Sequence, residues 1–203
     1  MEQSPSIPRA TTALILNDMI NSNLRSSDEI HNQLIAESGL IATTARCVAA
    51  LRERGIPIVW IRVERRADRR DVVDTLTDVF LAGGCRPRSA VTRGTYEAAN
   101  VDELPVQIED HVVLKPRFNP FIGTDLDLYQ RSRGISTILL GGYSTNVGVE
   151  SCARTARDLN YDVVILSDCC FNVERDLHEW SLARILPLFA RVITSQQAIS
   201  LLH

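Results

Sequence analysis

Three positions carry residue types that could do chemistry together. Asp18 follows the apolar run Thr12-Ala-Leu-Ile-Leu-Asn17, and Lys115 follows His111-Val-Val-Leu114. The third is a polar turn, Tyr143 to Asn146, which comes after the apolar run Thr137–Leu140 and the pair Gly141-Gly142. A carboxylate and an ammonium held side by side keep each other ionised, or trade a proton as a substrate enters. A strand that runs through a tight turn into a helix aims the helix's free N–H groups at one point, which favours developing negative charge. Many hydrolases place a nucleophile on such a turn. The tip of this one carries Gly148, which has no side chain to attack with.

The elements that must position these groups alternate along the chain. Thr12–Asn17 reads as a strand buried on both faces. Ser26-Ser27-Asp28-Glu29 opens a helical region that runs, with a break near Gly39, to Arg54 and stops at Gly55. Ile56–Val63 is a second strand, with Pro57 at its start. His111–Leu114 is a third strand, Asp125–Arg133 a helix, and Thr137–Leu140 a fourth strand ending at the glycine pair. A helix from Val147 to Leu159 follows, then a fifth strand, Tyr161–Leu166. Glu174–Leu188 is helical with a break near Pro187, Val192-Ile193 is an edge strand, and Ser195–Leu201 a last helix. This alternation predicts one α/β domain over residues 1–203, a three-layer α/β/α sandwich with a central, mostly parallel sheet. In such sheets ligands bind beyond the carboxyl ends of the strands, where Asp18, Lys115 and the turn all lie.

Composition narrows the function classes. The chain has 203 residues, 45% hydrophobic and 23% charged, with a net charge of -3, so no basic field invites nucleic acid. No apolar run approaches the ~20 residues a membrane span needs. Met1–Ala10 lacks the pattern of a signal peptide. Five cysteines, an odd number without framework spacing, point to a reducing, cytoplasmic compartment. Glu64 to Asp74 is a dense run of mixed charge that reads as a solvated loop. The sharper reading lets one of Arg62, Arg65, Arg66, Arg69 or Arg70 lean over the site and bind a substrate carboxylate. Gly83-Gly84-Cys85-Arg-Pro-Arg begins a long irregular stretch that could cover the site or contact another copy.

Three blocks resemble the isochorismatase-like family, also called the cysteine hydrolases. Ala13-Leu-Ile-Leu-Asn-Asp18-Met-Ile-Asn21 is similar to the family's opening strand, which ends in Asp followed by Met-Gln-Asn. Val113-Leu-Lys115-Pro-Arg-Phe-Asn-Pro-Phe121-Ile-Gly-Thr124-Asp-Leu126 is similar to its lysine block. Gly142-Tyr-Ser-Thr145-Asn-Val-Gly148-Val-Glu-Ser is similar to its nucleophile block, Gly-x-x-Thr-Asn-x-Cys-Val-Glu-Ser. In most members the Asp, Lys and Cys form a triad whose thiolate attacks an amide carbonyl. Asp18 and Lys115 match that pattern, and Gly148 stands where the cysteine belongs.

The resemblance leaves three readings open. The first is a hydrolase without covalent catalysis, as in the family's isochorismatases, which carry a glycine here and split a vinyl ether. Asp18 would then donate the proton and Lys115 would steady its charge or the substrate. Against isochorismate itself, those enzymes carry His-Asp-Met-Gln and Tyr-Ala-His where this chain has Asn17-Asp18-Met19-Ile20 and Ser144-Thr145-Asn146. The second is a cysteine amidase whose nucleophile was replaced by Gly148. The third is a non-catalytic protein that binds a small molecule or a partner. The resemblance also implies a substrate pocket lined by Asn21, Arg117, Phe118, Phe121, Tyr143, Ser144, Thr145, Asn146 and Val147, and a cis peptide at Ser144–Thr145. It implies a homodimer or homotetramer and no cofactor. The family's nicotinamidases bind a metal through Asp and His after the second strand, but Arg62–Asp74 contains no His, so no metal is expected. Cys152 is read as a core residue, and Trp60 and Trp180 as packing residues. His31, His111, His178 and His203 are read as isolated structural or surface residues.

Overall fold

The structure is a computed structural model that describes residues 5–71 and 91–203. Gly83–Arg88, and the part of the charged run beyond Asp71, lie outside the described residues. Six strands form one sheet: β1 (Thr12–Asn17), β2 (Ile58–Val63), β3 (His111–Lys115), β4 (Thr137–Tyr143), β5 (Asp162–Phe171) and β6 (Arg191–Ile193). Their order is β3-β2-β1-β4-β5-β6, and every pairing is parallel. The chain winds one way from β1 through β2 to β3, then returns to β4 on the other side of β1. The topological switch point therefore lies between the carboxyl ends of β1 and β4.

Helices cover both faces. They are α1 (Asn21–Leu24), α2 (Glu29–Ser38), α3 (Leu40–Arg52), α4 (Leu126–Ser132), α5 (Glu150–Asp158), α6 (Arg175–Trp180) and α7 (Ser195–Leu201). Alternate residues of each strand feed different cores. Leu14, Leu16, Trp60, Leu139, Val164 and Leu166 pack with Ile35, Leu40, Cys47, Val48 and Leu51 of α2 and α3, and with Ala198 of α7. Ile15, Val59, Ile61, Val113, Leu140 and Ile165 pack on the opposite face with Cys152, Ala153 and Ala156 of α5 and Leu126 of α4. Full burial of each large aliphatic side chain contributes about 1.5–3 kcal/mol. Local signals fix the helix ends. The Asp28 side chain accepts from the N–H groups of Ile30 and His31, Gly39 turns the chain between α2 and α3 at φ 66, and Thr194 and Gln197 form a capping box.

The structure corrects several boundaries. β4 does not stop at Gly141-Gly142 but continues to Tyr143, with a register shift between Leu140 and Gly142. The glycines serve close approach rather than termination. Gly142 has φ 126, and a Cβ there would lie 2.1 Å from the Asn17 carbonyl oxygen. β5 runs past Leu166 to Phe171, so Cys169 and Cys170 are strand residues rather than followers of the strand. Its polar pair Ser167-Asp168 is absorbed because Asp168 accepts hydrogen bonds from the N–H (2.7 Å) and hydroxyl (2.8 Å) of Ser195 at the start of α7. The helix expected from Val147 begins as a π-helical turn, Thr145–Val149, and becomes α-helical at Glu150. The segment after α6 likewise passes through a π turn, Ser181–Ile185, and a short 3-10 turn, Leu186–Leu188. Trp60 is buried, but Trp180 is 61% exposed and is not a packing residue. Among the described residues, no single helix is long and apolar enough to cross a membrane.

Candidate active site

β1 delivers Asp18 at its carboxyl end, and three backbone features hold it there. Its N–H donates to the Ile61 carbonyl (2.8 Å), its own carbonyl accepts from Asn23 Nδ2 (2.9 Å), and its φ is 51. That left-handed turn, which Asp tolerates better than most side chains, swings the carboxylate across the end of β2. Oδ1 accepts from the Val63 N–H at 2.7 Å. Lys115, the last residue of β3, reaches over β2 and places Nζ 2.6 Å from Asp18 Oδ2. Its other two donors go to Asn17 Oδ1 (3.0 Å) and the Phe118 carbonyl (3.0 Å). The ammonium thus has a partner for each N–H, as a buried charge requires. The Lys115 side chain is 2% exposed and that of Asp18 is 10% exposed, so the carboxylate is the face of the pair that meets solvent.

The turn after β4 closes the third side. Its cis peptide is Tyr143–Ser144, one residue earlier than the sequence implied. The Tyr143 carbonyl accepts from Asn17 Nδ2 at 2.9 Å. The N–H groups of Val147 and Val149 both donate to the Ser144 carbonyl at 3.2 Å, so those two donors are spent inside the turn. Gly148 is buried, facing Asn17 and Lys115. Thr145 is fully buried, its hydroxyl 2.8 Å from His178 Nδ1 on α6, and Asn146 Oδ1 accepts from Asn172 Nδ2 at 2.6 Å. Asp18, Lys115 and the Gly148 turn therefore converge at the switch point between β1 and β4. A surface groove of about 470 Å³ lies at the opposite edge, between Pro5–Pro8 and the starts of β4, β5 and β6.

The Isochorismatase domain family matches residues 12–197 of this chain. The chain belongs to the isochorismatase family. It is 31% identical over 194 residues to the uncharacterized isochorismatase family protein YecD of Escherichia coli O157:H7, covering 95% of this chain and 96% of that one. It is 30% identical over 200 residues to the ureidoacrylate amidohydrolase RutB of Methylobacterium radiotolerans, covering 90% and 76%. Among solved structures, an isochorismatase family protein from Burkholderia thailandensis superposes with a TM-score of 0.82 at 30% identity, over 97% of both chains. The chain is an isochorismatase-family hydrolase with a six-stranded parallel sheet.

Not every residue expected at the site of this family member reaches the pair. Asn21 donates to the carbonyls of Tyr96 and Asn100, and Phe121 packs its ring 6.0 Å from Tyr161. Phe118 meets Lys115 only through its carbonyl, its ring being 74% exposed, and Arg117 is exposed with its guanidinium on the carbonyls of Asp71 and Pro116. Among the described arginines after β2, Arg65 reaches the loop that follows Lys115. It donates to the Pro116 carbonyl beside Lys115, and burial lowers its pKa while Asp71 and Asp18 oppose that shift. Arg62 is held by Asn100 Oδ1 at 2.8 Å, and Arg66 pairs with Asp68 on the surface.

Sequence reasoning missed two buried polar groups. Asn17 read as the last residue of an apolar strand, yet its amide touches Asp18, Lys115 and Tyr143. Glu64 read as part of a solvated run, yet it is buried, with Arg93 at 3.5 Å, and burial raises its pKa. Cys152 is fully buried, as a core residue is, and burial pushes its thiol up to about 12. Among the described residues, no group of three or more His, Cys, Asp or Glu side chains is placed to hold a metal ion.

His178 is not isolated, and its environment predicts a pH effect. Burial lowers its pKa below the ordinary 6.5, with Glu179 opposing in part. The folded chain then takes up this proton at lower pH than the unfolded chain. Its contribution to stability is complete above about pH 7 and declines as pH falls through about 6.5. Melting temperatures between pH 7.5 and 5 are expected to fall less steeply in His178→Gln than in the parent protein.

Proposed function

We propose that this protein hydrolyses a small anionic substrate by acid/base chemistry at Asp18 and Lys115, with no covalent enzyme intermediate. The observation that carries the reading is the 2.6 Å contact between Asp18 Oδ2 and a fully partnered Lys115, beside a turn whose tip is a glycine. A proton can pass across that contact, giving a carboxylic acid beside an amine. Asp18 delivers this proton to the substrate as the scissile bond polarises. Water adds its oxygen to the electrophilic carbon, and its released proton restores the ion pair. One water is consumed, one bond breaks, and the enzyme ends as it began. Vinyl-ether hydrolysis of the isochorismatase type is the pattern for this cycle.

The second reading is cleavage of a C–N bond. It is favoured by the likeness to RutB, a ureidoacrylate amidohydrolase. Under it Gly148 stands in place of a catalytic cysteine. A panel of isochorismate, small amides and ureides separates the two. The first reading expects turnover of a panel member by the chain as it stands. No turnover by the chain, with activity appearing only when position 148 carries a thiol, favours the second. A cytoplasmic setting belongs to the same proposal and rests on the odd number of cysteines, 5.

Arg65 supplies the anion contact in this proposal. Apart from its bond to Pro116, its guanidinium makes no hydrogen bond among the described residues. Charge-assisted hydrogen bonds contribute about 1.5–3 kcal/mol. Arg65→Gln is therefore expected to raise KM about 10- to 100-fold while kcat stays within a few-fold, as loss of uniform binding does. Steady-state kinetics on the substrate found by the panel check this.

A further inference from the structure

We infer that Asn17 and Gly148 are an interlocked pair, in which the Asn17 carboxamide fills the volume that any side chain at position 148 would need and positions the Asp18–Lys115 pair. The inference rests on the acid/base reading above and extends it by naming the residue that excludes a nucleophile. A Cβ built on Gly148 would lie 2.1 Å from Asn17 Nδ2, 3.1 Å from its Cγ and 3.3 Å from Lys115 Nζ. Real Cβ atoms do not approach neighbours as closely as the first of these, so something must move.

Asn17 is poorly placed to move. Its residue is fully buried at the end of β1. Nδ2 donates to the Tyr143 carbonyl at 2.9 Å and to Asp18 Oδ2 at 3.2 Å, and Oδ1 accepts from Lys115 at 3.0 Å. Both N–H groups of the amide are thus engaged and its oxygen accepts from Lys115, so that two of the three bonds go to the candidate acid/base pair itself. Its backbone is held just as closely, because Gly142 of β4 packs against Asn17 N, C and O with no room for a Cβ. Swinging the amide aside would take from a buried Lys115 N–H the Asn17 Oδ1 acceptor it holds at 3.0 Å. The glycine is therefore not a thiol site with its sulfur missing. The space has been given to an amide, and converting the site to thiol chemistry requires two changes, at 148 and at 17.

The test is a double-mutant cycle on the full chain with Gly148→Ala, Asn17→Ala and the double variant, read by melting temperature. Gly148→Ala adds only a Cβ, so it keeps the cycle readable where Gly148→Cys fails to fold. In the parent background it is expected to lower the melting temperature by about 5–10 °C. In the Asn17→Ala background, where the amide is gone, the same change is expected to cost less than about 2 °C. A Gly148→Ala variant as stable as the parent, or one equally destabilised in both backgrounds, overturns the inference.

A second readout separates positioning from mere packing. Asn17→Ala is expected to move the pH–rate profile of turnover by more than about half a unit, because Lys115 and Asp18 each lose a partner. A uniform drop in rate at every pH overturns the positioning role. The melting cycle uses no substrate. It can hold while the substrate panel fails, and the reverse, so failure of the chemistry and failure of the interlock are told apart.

Discussion

Asp18→Asn is expected to lower turnover about 10²- to 10⁴-fold, the range that removal of a positioned acid or base costs. The substitution keeps the shape of the side chain and the acceptor that faces the Val63 N–H, 2.7 Å from Oδ1. It removes the negative charge 2.6 Å from Lys115 and the group that carries the proton. KM should change far less than kcat, because the lost interaction belongs to the transition state. Steady-state kinetics of the two proteins, with folding checked by circular dichroism, decide it. A variant that keeps more than about a tenth of parental kcat would remove Asp18 from the chemistry.

The second large effect is on stability. Lys115 is 2% exposed, so a neutral residue at 18 leaves a buried ammonium without its counter-ion. Breaking one side of such a pair costs about 3–5 kcal/mol, which for a chain of this size lowers the melting temperature by about 10 °C. Replacing both partners is different, because it removes the stranded charge as well. The double variant Asp18→Asn/Lys115→Met is therefore expected to be more stable than Asp18→Asn alone while remaining inactive. Thermal melts and turnover on the same preparations check this. Recovery of the fold without recovery of turnover shows that the pair matters to the reaction beyond holding the strands together. If the double variant is the least stable of the set, the ion pair is not where the buried charge is balanced.

Much of this site is legible in the sequence because parallel sheets obey simple rules. Asp18 and Lys115 each close an apolar run, and such runs end along one edge, so their convergence follows from topology alone. The glycine at 148 is visible because its flanking residues resemble a block that normally surrounds a cysteine. What stayed hidden depended on the third dimension. Asn17 looks like an ordinary polar stop after Leu16, and nothing in its neighbours says that β4 will bring Gly148 against its amide. Thr145 and His178 are 33 residues apart and meet only because α6 folds back over the turn. The strands β4 and β5 run beyond the ends that the sequence suggests for a related reason. A glycine pair and a Ser-Asp pair usually break strands, but here they admit close backbone approach and anchor α7. The π turn at Thr145–Val149 has no sequence signature and shifts the start of α5 by three residues from Val147 to Glu150.

In the proposed reaction water, and no side chain of the protein, attacks the substrate at the Asp18–Lys115 pair. The most direct measurement is the intact mass of the enzyme, acid-quenched during steady turnover of whichever panel compound it hydrolyses. The expected mass is that of the unmodified chain at every time point, while product accumulates in the same samples. A chain heavier by a fragment of the substrate, formed and lost at the rate of turnover, contradicts it.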